Sequence, residues 1–416
     1  MTFEIAPFRA LRFRAAPGTS VDAQTAPPYD IISSDEHRRL LDRSPHGIVR
    51  LTLGDTPGER AHYRERAALL EEWVRQGILV EEARPGLYVY GVDYPVPGQP
   101  HVRLSFRGLL ALGAVRDFSE KIVLPHERTF PDVVDDRYRI LEAGRTHLEF
   151  ILLLYSDRER RIDSILQCAA KEGAETEVTA KPQERHFLWP IRDAAAIREL
   201  QELFRRQRPI IADGHHRYTT AGLYRKKSRD DPKLCAGTDW MPMVLGNLFG
   251  EGLSILATHR LVSFAGKTAE ALKILQSRLE PAREGTDAEF QVETAQATLR
   301  LNLPKAVRAS RSGVAATDYA ILHDVILGDW LKPLLPASGE SEASQPIHYF
   351  KEGTGEREAL RAGKGDILFR MRPVAPDGFL RVVNGGEVFP HKTTFFYPKL
   401  WSGMALWRMA EPESSR

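Results

Sequence analysis

The chain of 416 residues is 42% hydrophobic and 27% charged, a composition typical of a globular protein with two or three domains. Its 58 basic and 56 acidic residues nearly cancel, so no basic surface indicates a nucleic-acid partner. We expect neither export nor a membrane location, because no stretch has the apolar pattern of a signal peptide or a membrane span. The two cysteines, Cys168 and Cys235, match no metal-ligand spacing, and a reducing cytoplasm is expected.

The first hundred residues predict alternating strands and helices. The apolar, β-branched run Gly47–Leu53 predicts a strand, and residues 60–76 carry apolar side chains on one helical face. Asp30 stands between a proline-rich loop and two isoleucines. It is either a carboxylate that reaches a pocket or a turn-forming aspartate, and the sequence leaves both interpretations open.

A cluster of polar residues, Pro125-His-Glu-Arg-Thr129, directly follows a predicted strand at 121–124. Ionisable groups at a strand end indicate a site, so His126 and Glu127 are candidate catalytic residues. Glu127 could act as a general base or hold a divalent metal. The alternative is a solvated surface cluster. Arg137, in the helix that follows, is either a phosphate clamp or an ordinary helical arginine.

A strand, helix, strand, turn and helix are predicted from 186 to 227, with Asp213-Gly214 as the turn. The first turn of a helix points unpaired N–H groups at one spot, where the helix dipole also favours negative charge. The guanidinium of Arg217 suits a phosphate. An anion site is therefore predicted here, with these candidate residues: Asp213, Gly214, His215, His216, Arg217 and Thr220. The alternative is that Asp213 caps a surface helix beside two solvated histidines.

The last third of the chain predicts further helices and strands, with a linker or mobile loop at 336–346. His259 and Arg260 end a predicted strand and either line the same cleft or form a surface pair. Lys392 could return to the phosphate cleft, although packing alone explains the aromatic residues that follow it.

The segment Ile211-Ala-Asp-Gly-His-His-Arg-Tyr-Thr-Thr-Ala221 resembles the signature of DUF1015, a bacterial and archaeal family of unknown function. The resemblance spans nearly the whole chain. It extends to these blocks: Pro28-Tyr-Asp-Ile-Ile-Ser33, Pro125–Thr129, Asp136-Arg-Tyr138, Thr258-His-Arg260 and Lys392–Lys399. The Gly-His-His-Arg-Tyr core is also similar, more distantly, to the phosphate-binding turn of the ParB/sulfiredoxin-like superfamily, whose members include partition proteins, sulfiredoxins and free-serine kinases.

This resemblance implies an α/β (α+β) fold with a ParB/sulfiredoxin-like nucleotide-binding core, a mixed sheet and a C-terminal α/β domain. We expect an N-terminal segment at 1–110, the core at 111–262 and the C-terminal domain at 263–416. The catalytic cysteine of sulfiredoxins falls where His215 stands, so thiol chemistry is not expected. No helix-turn-helix or basic face follows the motif, so a partition function is not expected either.

The resemblance to free-serine kinases implies a phosphotransferase that acts on a small hydroxy compound, with free serine among the candidate acceptors. ATP or ADP would donate the phosphate at the Asp213–Arg217 turn, and Glu127 or Asp30 would activate the acceptor. Mg²⁺ on Asp213 and Glu127 is expected, because a carboxylate repels phosphate unless it caps amides or a cation neutralises it. A non-catalytic nucleotide-binding regulator and a phosphatase are the alternatives. The acceptor and the oligomeric state are not predicted.

Overall fold

The computed structural model describes residues 2–15, 20–56, 62–171, 173–229, 231, 236–337, 345–390 and 392–410. Cys235 and most of the expected linker at 336–346 lie outside the described residues. The chain divides into two compact units. The first comprises Met1–Pro95, Arg103–Leu253 and Pro398–Arg416, and the second comprises Val96–Val102 and Ser254–Tyr397.

This division differs from the three expected segments. The expected boundary at 110/111 falls inside a single strand, Gln99–Ala114, which pairs with Trp240–Asn247. Residues 1–110 and 111–262 therefore share one sheet. The last residues of the chain also return to the first unit, which no linear division of the sequence anticipates.

The first unit is built on an eight-stranded sheet in the order β10-β7-β11-β5-β4-β9-β8, with β1 paired to β5. Its strands are β1 (Ile5–Ala6), β4 (Leu87–Val96), β5 (Gln99–Ala114), β7 (Ile151–Tyr155), β8 (Thr176–Lys181), β9 (Glu184–Ile191), β10 (Ile210–Asp213) and β11 (Trp240–Asn247). Two smaller pairs join β2 (Leu11–Phe13) to β3 (Leu79–Glu81) and β6 (Thr146–His147) to β20 (Trp407–Arg408).

The large sheet is mixed, as expected. Strand β7 runs parallel to β11 but antiparallel to β10. Every residue of β7 is buried, which explains why its sequence is continuously apolar rather than alternating. The predicted mixed α/β fold is confirmed.

The described residues of the first unit form seven α-helices: α1 (Ser34–Arg43), α2 (Val49–Thr52), α3 (Tyr63–Arg75), α4 (Pro131–Gly144), α5 (Arg161–Ala169), α6 (Ala194–Arg205) and α7 (His215–Ser228). The Asp193 side chain caps α6 by accepting a hydrogen bond from the Ala196 N–H. The strand predicted at Gly47–Leu53 is wrong. This segment forms α2, whose consecutive residues are buried, so tertiary packing overrides their β propensity.

The second unit contains a six-stranded antiparallel sheet in the order β14-β16-β15-β18-β13-β17. Its strands are β13 (Thr258–Val262), β14 (Glu280–Pro281), β15 (Phe290–Glu293), β16 (Thr298–Asn302), β17 (Ile347–Lys351) and β18 (Ile367–Arg370), with a separate pair of β12 (Ser254–Leu256) and β19 (Phe395–Tyr397). Its helices are α8 (Thr268–Arg278), α9 (Lys305–Ala309), α10 (Asp318–Ala320), α11 (Glu356–Arg361) and α12 (Pro376–Asn384), and a π-helix at Ile321–Trp330 continues α10. Among all the described helices, none combines the length and apolarity needed to cross a bilayer.

Candidate functional site

The predicted strand–turn–helix is present, and it depends on one glycine. Strand β10 ends at Asp213, α7 begins at His215, and Gly214 between them has φ +96°. A Cβ at Gly214 would lie 2.4 Å from Cγ2 of Ile151. Both the left-handed backbone and the close approach to β7 therefore require glycine. Asp213 does not cap α7, since Gly214 holds the N-cap position and no side chain caps the helix.

Asp213 lies between two cations. Its Oδ1 contacts the Nζ of Lys399, and its Oδ2 accepts a hydrogen bond of 3.0 Å from Nη2 of Arg217. Burial alone would raise the pKa of Asp213, but Lys399 and Arg217 outweigh it and lower this pKa to about 2. Burial likewise disfavours the charged Lys399, yet Asp213 raises the pKa of Lys399 above its usual value. Both groups are therefore charged at neutral pH.

Arg217 is mainly an anchor within the protein. Its Nη1 donates to the carbonyl oxygen of Phe150 at 2.6 Å, while Nη2 holds Asp213. The Glu149 carboxylate adds a second negative charge, with Oε2 3.9 Å from Nη1. The Arg217 Nε, by contrast, is buried and makes no hydrogen bond to any described residue. That N–H is thus an exception to the rule that buried donors are paired.

Glu149 connects three segments that are distant in sequence. It is buried, and its Oε1 accepts hydrogen bonds from the Tyr29 N–H at 3.2 Å and from the Ser402 hydroxyl at 2.7 Å. The short 3₁₀ turn Tyr29–Ile31, which carries Asp30, is thereby held next to Arg217. No local sequence pattern indicated a role for Glu149 or Lys399. For Lys399, the one available signal was its place in the Lys392–Lys399 block.

Asp30 faces a pocket of about 450 Å³. Its side chain is exposed to the pocket, but the surrounding protein and the nearby Asp213 carboxylate both raise its pKa, and Arg217 and Lys399 only partly oppose them. A carboxyl group whose pKa is raised and which water can reach is a candidate general base. The pocket is lined by Tyr29, Asp30, Ile32, Ser33, Ser34, His37, Leu53, Arg66, Val133, Asp136, Arg137 and His216.

Two guanidinium groups line the same pocket. Arg137 donates from Nε at 2.9 Å and from Nη2 at 2.5 Å to Oδ2 of Asp136, and it lies 4.0 Å from the centre of the Tyr29 ring. The pKa of Arg66 is lowered by burial and by the positive charge of Arg137. Asp136 is the acidic residue that offsets both guanidinium groups, so one carboxylate faces two positive charges. An anion bound in this pocket would relieve the repulsion between Arg66 and Arg137.

Three histidines lie next to the turn, and their hydrogen bonds indicate which ring nitrogen carries the proton. The backbone N–H of His126 donates to Nε2 of His215 at 3.2 Å, and that of Phe130 donates to Nε2 of His216 at 3.0 Å. Both α7 histidines therefore carry their proton on Nδ1. The Nδ1 of His126 donates to the Ile211 carbonyl oxygen. Burial lowers the pKa of His126 to about 4 and that of His215 well below its usual value.

Glu127 lies beside these histidines, with Oε1 3.7 Å from Nε2 of His126. Burial raises the pKa of Glu127 to about 7, although Lys399 opposes the rise. Glu127 therefore titrates near neutral pH. Thr220, the remaining candidate in this region, uses its hydroxyl within the protein, donating to the Val134 carbonyl oxygen at 3.2 Å and holding α4 against α7.

Three predicted site residues belong to the second unit, and contacts inside that unit account for them. His259 Nε2 lies 2.9 Å from Oε2 of Glu352. Arg260 donates from Nε to Nε2 of His323 at 3.1 Å and from Nη2 to the Lys392 carbonyl oxygen at 2.9 Å. The role of His259, Arg260 and Lys392 in phosphate binding stays a prediction.

The predicted Mg²⁺ ligands do not fit a metal ion. Both oxygens of Asp213 already contact cations, Lys399 and Arg217, which would repel a divalent ion. Lys399 and Arg217 are thus cations of the protein itself that neutralise the Asp213 carboxylate. Glu127 has a raised pKa and is partly protonated near neutral pH, which also disfavours metal ligation.

Among the described residues, one group has metal-ligand spacing: His259, Glu352 and Glu356, whose ligand atoms lie within 4.8 Å of one another. The Nδ1 of His259 accepts a hydrogen bond of 3.1 Å from the Met371 N–H, so the ring proton sits on Nε2 and faces Glu352. A metal-binding histidine normally donates from its second nitrogen instead. This arrangement favours a structural His–Glu pair over a metal centre.

The model of a family described as "Protein of unknown function (DUF1015)" matches residues 5–320. No curated protein matches the chain. Among solved structures, SbnI with a C-terminal truncation from Staphylococcus aureus is 14% identical, with 69% of this chain and 82% of that chain covered and a TM-score of 0.38.

A conserved hypothetical protein from Pyrococcus furiosus is 14% identical over 67% of this chain and 88% of its own, with a TM-score of 0.33. A free serine kinase in complex with AMP is 15% identical over 66% of this chain and 83% of its own, also with a TM-score of 0.33. At TM-scores this low, the likeness carries no argument about this chain.

Proposed function

Since the chain belongs to the DUF1015 family of proteins of unknown function, we propose from its site geometry that it transfers a phosphoryl group from a nucleotide, ATP or ADP, to a small hydroxy compound. The observation that carries this proposal is the position of Asp30. It combines a raised pKa with access to a pocket that also carries two guanidinium groups. A proton acceptor and an anion-binding surface are thus available to the same bound molecule.

The phosphates would bind between the cationic side chains of the pocket and the start of α7. Arg66 and Arg137 line the pocket, and His216, in the first turn of α7, lines it as well. The N-terminal end of that helix carries partial positive charge, which favours a phosphate oxygen.

Asp30 would act as the general base. Its carboxylate takes the proton of the acceptor hydroxyl while that oxygen forms a bond to phosphorus, and the bond from phosphorus to the nucleotide oxygen breaks. The nucleotide leaves with one phosphate fewer. Asp213 cannot take this proton, because Lys399 and Arg217 keep its pKa at about 2.

The Lys399–Asp213–Arg217 cluster would position the base and set its charge. Burial and Asp213 raise the pKa of Asp30, whereas Lys399 and Arg217 lower it, so the cluster tunes the basicity of this carboxylate. Glu149 fixes the turn that carries Asp30 through its hydrogen bond to the Tyr29 N–H. The proposed transfer uses no Mg²⁺, because Asp213 already contacts Lys399 and Arg217 and does not fit a divalent ion.

The proposal is tested by binding and transfer assays on the same variants. Thermal-shift titration with ATP and ADP should raise the melting temperature of the wild type. Phosphorus NMR should then show a new phosphate monoester when serine or another small hydroxy compound is supplied. The Asp30→Asn variant should keep nucleotide binding but lose about 10²- to 10⁴-fold in transfer rate, as expected for loss of a general base.

Glu127→Gln is the matched control, since Glu127 is the second predicted base but does not line the pocket. We expect it to retain most of the transfer activity. A large loss in Glu127→Gln with normal activity in Asp30→Asn would reassign the base. Nucleotide binding without transfer to any acceptor or to water would instead identify a non-catalytic nucleotide-binding protein.

A further inference from the structure

A second cavity, of about 450 Å³, lies between helix α7 and the segment that follows β5. It shares no described lining residue with the pocket that contains Asp30. The segment after β5 contributes the short 3₁₀ turn Phe118–Glu120. Helix α7 contributes Thr219, Gly222 and Lys226, whose spacing of three and four positions places them on one helical face.

The wall of this second cavity carries more positive than negative charge. Among its described lining residues, four are basic and two are acidic. Arg116 donates from Nη2 to Oε2 of Glu4 at 2.8 Å, and Arg225 contacts the carboxylate of Asp239. Lys226 makes no ion pair with any described residue. The wall therefore favours an anion, and the Lys226 ammonium group is available to pair with it.

The second cavity also has an apolar wall. The ring of Phe118 stacks on that of Tyr218, with ring centres 5.4 Å apart and planes that differ by 27°. The Tyr218 hydroxyl donates to the Arg116 carbonyl oxygen at 2.8 Å, which fixes the orientation of this ring pair. Leu223 lines the cavity as well. A ligand that joins an anionic group to an apolar part would match both walls.

Gly222 keeps the second cavity open. Glycine weakens the interior of a helix relative to alanine, so its presence there usually has a packing or functional reason. Packing gives none here, because a Cβ at Gly222 would meet no atom within 4 Å. Gly214, where a Cβ would lie 2.4 Å from Ile151, shows the contrast. The missing side chain of Gly222 thus leaves room for a bound molecule.

Three side chains of the wall have polar atoms that the protein does not pair. Nε of Arg116, Oγ1 of Thr219 and Oε2 of Glu120 are buried and make no hydrogen bond to any described residue. Buried polar atoms are normally paired. Nine such unpaired atoms occur among the described residues, and three of them belong to this one cavity. Packing alone therefore does not explain the polar residues of this wall.

We propose that the second cavity binds a small organic anion. Its charged group would lie among Arg116, Arg225 and Lys226, and its apolar part would lie against Phe118 and Leu223. The site goes beyond the proposed phosphoryl transfer and does not depend on it, because the two cavities have no described lining residue in common.

The test uses benzoate, which joins a carboxylate to an aromatic ring, and benzamide, its neutral counterpart of similar shape. Isothermal titration at low ionic strength would measure both dissociation constants, since salt screens exposed charges. We expect the wild type to bind benzoate at least about 10-fold more tightly than benzamide, because only the carboxylate forms charge-assisted hydrogen bonds. Absence of benzoate binding, or equal binding of the two probes, would overturn the proposal.

Gly222→Leu is the blocking variant. Its side chain would fill the second cavity from a position where the Cβ is unobstructed, and leucine favours the helix more than glycine does. Thermal unfolding should therefore show a folded protein, while the affinity for benzoate should fall by about 10-fold or more. Gly222→Ala, with its smaller side chain, should keep most of the affinity. Wild-type affinity in a folded Gly222→Leu would place benzoate elsewhere and refute the site.

Lys226→Gln tests the charged wall, and Lys227→Gln is its matched control with the same change in net charge. Lys227 does not line the second cavity, and its Nζ lies 4.2 Å from the centre of the Tyr138 ring. We expect Lys226→Gln to weaken benzoate binding by about 2- to 5-fold, the effect of losing one exposed ion pair. Lys227→Gln should bind like the wild type. Equal weakening in both variants would reveal a general charge effect and contradict the assigned role of Lys226.

Discussion

The ammonium group of Lys399 contacts Oδ1 of Asp213, although 186 positions separate the two residues in sequence. Both side chains are largely shielded from solvent, with exposed fractions of 15% and 13%. Because Arg217 holds the other oxygen of Asp213, the carboxylate is neutralised on both sides. The candidate site thus depends on a lysine close to the end of the chain.

Replacing Lys399 by methionine should destabilise the protein strongly. The substitution preserves most of the side-chain volume but leaves Asp213 buried with only Arg217 to offset its charge. Removing one member of a buried ion pair typically costs about 3–5 kcal/mol. Urea unfolding of the wild type and Lys399→Met would measure the loss in the free energy of unfolding.

The control for this prediction is the double variant Lys399→Met with Asp213→Asn. Once the Asp213 carboxylate is removed, loss of the Lys399 ammonium group should lower the free energy of unfolding much less. The effects of the two single substitutions on this free energy should therefore not add in the double variant. Strict additivity of the two single variants would show that the contact contributes nothing to stability.

Glu127 should make stability fall as the pH rises toward neutrality. Burial raises its folded pKa to about 7, above the value of about 4.3 for an unfolded glutamate. The folded state therefore binds the proton more tightly, and this stabilisation is complete below pH ~4.3 and is lost as the pH passes ~7. The shift of about 2.7 pKa units corresponds to about 4 kcal/mol at about 1.4 kcal/mol per unit.

The measurement is the free energy of unfolding of the wild type and Glu127→Gln between pH 4 and pH 8 (roughly the window set by the two pKa values). In that window the free energy of unfolding of the wild type should fall, relative to that of Glu127→Gln, as the pH rises. His126 makes stability rise with pH instead, since its folded pKa is lowered to about 4. Because His126 is present in both proteins, its effect should largely cancel in the comparison. Parallel curves would contradict a raised pKa for Glu127.

Local sequence patterns predicted the part of the site that is contiguous in sequence. Strand β10, the Asp213-Gly214 turn and helix α7 follow from a short apolar run, a turn dipeptide and a helix-forming segment. Helix α6 follows similarly from its Asp193 cap and its apolar stripe. Such signals are local, so they do not depend on how the rest of the chain folds.

The residues that complete the site could not be predicted in this way. Glu149 and Lys399 act through contacts with residues more than a hundred positions away. A single sequence contains no pattern that specifies such pairings. The sequence likewise indicated that Asp213 needs a neighbouring cation, but only the folded chain shows Lys399 and Arg217 in that position.

The conformation of Gly214 predicts a sharp difference between two glycine variants on the same turn and helix. Gly214→Ala introduces a Cβ 2.4 Å from Cγ2 of Ile151 at a φ of +96°. Both backbone strain and overpacking would therefore destabilise the folded state. We expect this variant to lower the free energy of unfolding by about 2–5 kcal/mol. Gly222→Ala places its Cβ in open space within α7 and should stabilise the protein by about 0.5–1 kcal/mol. Thermal unfolding of both variants would check this, and equal effects would contradict the assigned turn.

His259 and Glu352 should contribute to stability without any metal. Because the Nδ1 of His259 accepts the Met371 N–H, the Nε2 proton is directed at Glu352 and leaves no lone pair for an ion. Addition of Zn²⁺ or of a chelator should therefore leave the melting temperature of the wild type unchanged. His259→Leu should lower the free energy of unfolding by about 1–3 kcal/mol, since it leaves the Met371 N–H and the Glu352 carboxylate without this partner. A rise in melting temperature with Zn²⁺ that His259→Leu abolishes would show instead that these side chains form a metal site.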